Sequence, residues 1–169
     1  PVDAAERNPH RVGGAQRPRL LIAAALACRP KLLVADEPTS ALDVTIQREI
    51  LLLLRQLARE FAFSTLFVTH DFGVVAQLCD RLSVMYAGQS VESGGIDAVL
   101  SAPRHPYTAA LLACHPDRAT DLNGIPGTVP SPLSPPSGCR FPPPCPLAVN
   151  RSTRGHPPPI PPRPSPRGP

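Results

Sequence analysis

The chain has 169 residues, which suits one domain plus an appendage, and 42% of them are apolar, enough for a core. Its formal charge of +4 is unevenly placed: from Pro126 onward there are five arginines and no acidic residue, so this stretch carries +5 and the rest −1. The pI of about 9.1 therefore describes a tail holding 17 of the 25 prolines, and gives no grounds for a basic nucleic-acid-binding face on the folded part. Arginines spaced by prolines, without interleaved aromatics, read as a solvated, disordered tail.

The first residues, Pro1-Val2-Asp3-Ala4-Ala5-Glu6, show no secretory signal. The longest apolar run, Leu20–Cys28, has nine residues, whereas a membrane-spanning helix needs about twenty, so a membrane role is expected to come through a partner. The five cysteines, an odd number without a signal, suit a reducing compartment. Cys28, Cys79 and Cys114 lie in apolar surroundings and are expected as buried small hydrophobes.

In chain order, the glycine pair Gly13-Gly14 precedes a helix over Gln16–Cys28, which Pro30 ends. Lys31–Ala35 is a short continuous apolar run that stops at Asp36-Glu37-Pro38, the pattern of a strand buried on both faces. A helix follows over Val44–Phe61, where Ile46, Ile50, Leu53, Leu54, Leu57 and Phe61 form one apolar stripe. Thr65–Thr69 reads as a second buried strand ending at His70-Asp71, Phe72–Asp80 as a short helix, and Leu82–Tyr86 as a third strand, with Gly88 turning the chain. Ile96–Leu100 and Thr108–Cys114 suggest two more helices, and from Gly124 on proline and glycine are too dense for regular elements. Alternating helices and strands predict an α/β fold with a parallel sheet covered by helices.

Open parallel sheets bind ligands at the carboxyl ends of their strands, and two polar clusters fall there. Asp36-Glu37 is an acidic pair that can divide its work: Asp36 can hold Mg²⁺ and Glu37 can polarise an attacking water. His70, at the end of the next strand, can hydrogen-bond a terminal phosphate and that water. Asp43 precedes a helix and is a good N-cap. Glycines opening a helix, as at Gly13-Gly14-Ala15-Gln16, let backbone N–H groups approach an anion.

In order and spacing, these segments resemble the ATP-binding cassette family: a signature loop at Val12–Gln16, Walker B at Leu32–Glu37, the D-loop at Ser40-Ala41-Leu42-Asp43 and the switch histidine at His70. Ala35–Thr45 and Met85-Tyr86-Ala87-Gly88 are similar to the peptide- and nickel-importer ATPases. So are Pro103–Thr108, Ile125–Pro130, Gly138-Cys139-Arg140-Phe141 and Cys145-Pro146, which resemble that group's C-terminal extension. The resemblance implies a partial phosphate-loop NTPase core over residues 1–92, a transporter extension over 93–150 and a Pro/Arg-rich tail over 151–169. It implies ATP and Mg²⁺ as ligands and a second ATPase subunit that pairs head to tail. It further implies two transmembrane permease subunits, an extracytoplasmic solute-binding protein, and a place on the cytoplasmic face of the membrane.

The sequence departs from the family in three places. A phosphate loop needs Gly-x-x-x-x-Gly-Lys-Ser/Thr, yet the only lysine is Lys31, between Pro30 and Leu32. The chain therefore reads as the C-terminal portion of a longer subunit, inactive alone. The family's Leu-Ser-Gly-Gly-Gln reads Val12-Gly13-Gly14-Ala15-Gln16, which loses a serine hydroxyl and adds a Cβ. Pro18 stands near the helix start, where a first turn tolerates it. Some relatives hold an iron–sulfur cluster on four cysteines of the extension, but here Cys139 and Cys145 remain and Ser152 stands at the third place, so no cluster is expected. The function expected is that of an ATPase subunit energising import of peptides or a related small solute, nickel included. A non-catalytic, degenerate partner subunit is the alternative. A cassette ATPase without a transporter is disfavoured by His105-Pro106-Tyr107.

Overall fold

The apolar pentad after Lys31 forms β1 (Leu32–Asp36), which pairs in parallel with β2 (Ser64–Val68). This arrangement is seen in a computed structural model that describes residues 16–40, 42–115, 124–141 and 145–148. Between the two strands runs α2 (Val44–Glu60), a 17-residue helix. Ile50 and Leu54 on α2 are buried against Leu33 of β1 and Phe63, with Ile46, Leu57 and Phe67 packed around them. Full burial of such side chains stabilises by about 1.5–3 kcal/mol each, so this cluster is what holds α2 on the strand pair. Ile22 and Leu26 of α1 (Gln16–Leu26) join the same cluster, and Pro18 sits in the first turn, where its missing N–H costs nothing.

The expectation that both strands are buried on both faces is corrected. Exposure alternates along β1, and Val34 and its register partner Leu66 are 59% and 53% exposed. The core lies on the Leu33 side, and among the described residues no helix covers the other face. Cys28 is likewise exposed rather than buried, because it lies beyond the end of α1 where the chain turns away from the core, while Cys79 and Cys114 are half-buried. Phe61, expected on the buried stripe, is the exposed C-cap of α2.

The third strand is also corrected. β3 (Arg81–Tyr86) does not extend the parallel sheet among the described residues but pairs antiparallel with β4 (Gln89–Gly95). Two residues, Ala87 and Gly88, connect them with φ of 47° and 80°, the double left-handed turn that matches hairpin twist. A two-residue link can only reverse the chain, whereas a parallel return needs a crossover of a dozen residues or more. The polar, glycine-containing sequence of β4 hides it from an apolar-run reading.

The chain divides into two compact units, Pro1–Leu78 and Cys79–Pro169. In the second, α3 (Phe72–Leu78) having closed the first, the hairpin is followed by α4 (Ile96–Ser101) and α5 (Pro106–Ala113). Glu92 of β4 is buried and accepts the backbone N–H groups of Arg104 (2.8 Å) and His105 (3.0 Å). His105 caps α5, its Nδ1 accepting from the Tyr107 N–H at 3.1 Å, with Pro106 beginning the helix. The rings of Tyr86, Tyr107 and Phe141 meet at 4.5–5.4 Å, and the Arg140 guanidinium donates to the Ala87 carbonyl. The His-Pro-Tyr and Cys-Arg-Phe segments thus clamp the hairpin turn between them.

Burial lowers the proton affinity of His105 below the ordinary value of 6.5, and Glu92 opposes this only in part. The neutral ring is the one that can accept at Nδ1. A lowered folded-state pKa means that this stabilisation is fully present above about 6.5 and is lost as pH falls below it. In thermal denaturation, the Cys79–Pro169 unit is expected to melt earlier at pH 5 than at pH 7.5. His105→Asn, which caps without titrating, should flatten that slope, and His105→Ala should cost about 1 kcal/mol at neutral pH.

Candidate active site

Register brings the polar clusters together. Asp36 at the end of β1 stands opposite Val68 at the end of β2, so the residues that follow each strand emerge side by side. The Glu37 N–H bonds the Val68 carbonyl at 2.9 Å, continuing the ladder by one step. Glu37 then takes a left-handed conformation, φ 44°, and its carbonyl accepts from the Ser40 N–H and Oγ. A non-glycine residue with positive φ is uncommon and collects at functional sites, and here it re-aims the Glu37 side chain at the end of β2.

There its Oε1 accepts twice from one residue: from the His70 backbone N–H at 3.2 Å and from the His70 ring at Nδ1, 2.7 Å. The His70 side chain is 82% exposed and that of Glu37 36%, so the pair faces solvent, and among the described residues no side chain engages the second Glu37 oxygen. The hydrogen bond to Glu37, and next the charge of Glu37, raise His70 above its ordinary 6.5. Asp36 is exposed, and its carboxylate is engaged by no side chain among the described residues.

Asp43 is the N-cap of α2: its side chain accepts from the Ile46 N–H at 2.9 Å. Gln16 begins α1. Gly13, Gly14 and Ala15 lie outside the described residues. Cys139 and Cys145 are free and half-buried, and among the described residues no three metal-ligating side chains gather.

Two residues at this site went unassigned in the sequence. Asp71 caps α3, its Oδ1 accepting from the N–H groups of Gly73 (2.8 Å) and Val74 (3.3 Å), while Gln47 of α2 reaches its Oδ2 at 3.3 Å. An aspartate just before a helix is a readable cap signal. Nothing in the sequence around Gln47 marks it.

A raised folded-state pKa means that the His70–Glu37 attraction is fully present below about 6.5 and is lost as pH rises through the folded value. The His70 ring, followed by NMR, should titrate above 6.5, and Glu37→Gln should return its midpoint to near that value. A wild-type midpoint at or below 6.5 would contradict the contact.

The chain is similar to known proteins over most of its length. Residues 91–151 match the family described as the oligopeptide/dipeptide transporter, C-terminal region. The chain is 51% identical over 146 residues to the oligopeptide transport ATP-binding protein AppD of Bacillus subtilis, covering 85% of this chain and 44% of that one. It is 47% identical over 154 residues to the dipeptide transport ATP-binding protein DppD of Escherichia coli, covering 89% and 47%. Among solved structures it resembles CbiO1 of Clostridium perfringens, part of the ABC transporter complex CbiONQ, with a TM-score of 0.52 and 29% identity over 63% of this chain and 41% of that one. It also resembles an ATP-binding cassette of an ABC transporter in its ADP conformation, with a TM-score of 0.51 and 27% identity, covering 59% and 40%. The chain spans about half the length of the curated relatives it matches. With a parallel strand pair that ends in Asp36-Glu37 and His70 and an extension built on His105, Tyr107 and Phe141, it belongs to the oligopeptide/dipeptide transporter family of ATP-binding cassette proteins.

Proposed function

We propose that this chain supplies the hydrolytic side of an ATP site in a peptide importer, as the C-terminal portion of an ATP-binding subunit. The observation that carries the reading is the Glu37–His70 contact at adjoining strand ends. A part-exposed carboxylate held by a histidine through one oxygen suits a base that orients water for attack on a terminal phosphate. The Nε2 edge of His70 remains available to a phosphate oxygen. Asp36, an exposed carboxylate one residue before, is a hard oxygen donor of the kind Mg²⁺ takes one or two of while keeping its waters. When bound, Mg²⁺ would neutralise phosphate charge. Asp36, Glu37 and His70 would thus supply a metal ligand, a base for the water and a phosphate contact from the ends of two adjoining strands.

In this reading residues 1–92 belong to the ATPase domain, 93–150 to the transporter extension and 151–169 to a proline-rich tail. The nucleotide's phosphates are gripped by a Gly-x-x-x-x-Gly-Lys-Ser/Thr loop from outside these 169 residues, where Lys31 is the only lysine. Gly13, Gly14, Ala15 and Gln16, as a signature loop, would serve the ATP of a second ATPase subunit, and Asp43, as the D-loop residue, the seam between the two. Partners are that subunit and two permease subunits at the cytoplasmic face of the membrane. Among the described residues no helix is long and apolar enough to cross it. Relatives named for oligopeptide and dipeptide transport support peptides as the solute. Cys139 and Cys145, two thiols where a cluster takes four, leave the extension without an iron–sulfur centre.

One observation favours a second reading, a degenerate partner subunit. Gly13 lacks the serine hydroxyl of the family's signature loop. One hydrogen bond to a charged group is worth about 1.5–3 kcal/mol, or roughly ten- to a hundredfold in that contact.

The test is ATP turnover by the chain joined to the phosphate-loop half of a DppD-like relative. Glu37→Gln is expected to lower turnover by about 10²–10⁴-fold, the usual contribution of a positioned acid or base, and to leave ATP binding intact. Turnover that survives Glu37→Gln would sink the assignment of the base. In the same assembly, Gly13→Ser is expected to raise turnover about tenfold or more if the signature loop serves a partner's ATP. An unchanged rate would favour the scaffold reading.

A further inference from the structure

His70 is poorly held by packing, since its side chain is 82% exposed and the turn carrying it joins β2 to α3 at the surface. Its geometry must come from hydrogen bonds. Glu37 provides two of them from the β1 side. From within the turn, Thr69 Oγ accepts the Asp71 N–H at 3.1 Å, and Asp71 Oδ1 takes the N–H groups of Gly73 and Val74. A Cβ on Gly73 would come within 3.1 Å of that same oxygen, so the bare glycine lets the carboxylate sit inside the turn. All of these bonds on the α3 side are local, and none ties the turn to the core.

One bond does. The second oxygen of Asp71 receives the Gln47 Nε2 at 3.3 Å, across 24 residues of sequence. A carboxylate only accepts, so the amide nitrogen is the end that faces it. Gln47 sits in the first turns of α2, with its backbone N–H on the Asp43 carbonyl at 2.8 Å, and α2 is anchored by buried Ile50 and Leu54. The half-buried setting of Gln47 and Asp71 limits competition from water.

We infer that Gln47 is the positioning residue for His70: through Asp71 it fastens the histidine turn to the first turn of α2. The inference rests on His70 and Glu37 being the hydrolytic pair. It adds a mechanical consequence. Asp43 caps the same helix one turn before Gln47, so a displacement at Asp43 is carried to Asp71 and on to His70. The residue expected at the subunit seam and the residue expected at the phosphate then move as one body.

The test needs no nucleotide and uses the 169-residue chain. Backbone amide hydrogen exchange is measured by NMR in the wild type, in Gln47→Met, which keeps length and loses the amide, and in Gln47→Glu, which sets a second carboxylate against Asp71. In both variants the His70 amide should exchange faster, on the order of tenfold, as expected for loss of a hydrogen bond to a charged acceptor. The amides of Ala35 and Leu66 in the strand ladder should keep their rates. Combining Gln47→Glu with Asp71→Asn reverses the donor and acceptor and should restore the His70 rate. An unchanged His70 rate in Gln47→Met overturns the inference, as does a loss of protection spread evenly over the ladder, which would make Gln47 a stability residue only. Failure of the hydrolytic reading shows separately, as turnover surviving Glu37→Gln while the Gln47 variants still loosen His70.

Discussion

The parallel register of β1 and β2 is the constraint on which the site depends. Leu32 lies opposite Ser64 and Asp36 opposite Val68, so both strands finish at one level. The Glu37 N–H extends the ladder to the Val68 carbonyl before the chain breaks away in a left-handed turn. A slip of two residues, which would preserve the buried face, would carry His70 roughly 6–7 Å along the strand direction, beyond reach of Glu37. Register is enforced from below by Leu33, Ile50, Leu54 and Phe63, so the chemistry at the strand ends is set by apolar packing several residues away.

The strained backbone at Glu37 follows from the same constraint. An extended residue there would continue along β1 and point its carboxylate past the sheet. The positive φ turns it toward β2, and the bonds that repay the strain are visible: the Val68 carbonyl on one side, Ser40 on the other, and His70 on the side chain. Each partner belongs to the segment from β1 to α3, which makes this first unit a self-contained support for the pair. The second unit has a comparable centre in Glu92, a buried carboxylate satisfied by two backbone N–H groups. In both units a glutamate organises a histidine segment, Glu37 just past the end of β1 and Glu92 in the middle of β4. At Glu37 the histidine ring itself is bound and its proton affinity rises, whereas at Glu92 the backbone is bound and burial lowers that of His105.

Much of this was legible in the sequence, for physical reasons that can be named. β1, β2 and α2 announce themselves because apolar spacing changes from continuous to helical between Ala35 and Val44. Asp36-Glu37 and His70 stand out because charged residues directly after apolar strands have few structural uses. The hairpin partner β4 was not legible, since Gln89–Gly95 holds one large apolar residue and owes its place to pairing with β3. Gln47 was silent for a different reason. Its role depends on Asp71, 24 residues away, and a glutamine on a helix is compatible with almost any surroundings.

The mistaken expectation about burial carries the most information. Apolar residues on both faces of β1 and β2 read as strands covered on both sides, yet Val34 and Leu66 stand side by side in solvent. Parallel sheets occur almost only with both faces covered, because crossover connections place helices there. The reading and the structure are compatible if the pattern reflects an environment that the described residues supply on one side alone. Curated relatives about twice as long as the matched stretch have the chain to supply the other. An adjacent aliphatic pair such as Val34 and Leu66 gains about 1.5–3 kcal/mol per side chain from full burial. Covering that face would therefore stiffen the register that aligns Glu37 with His70, which links the completeness of the sheet to the geometry of the site.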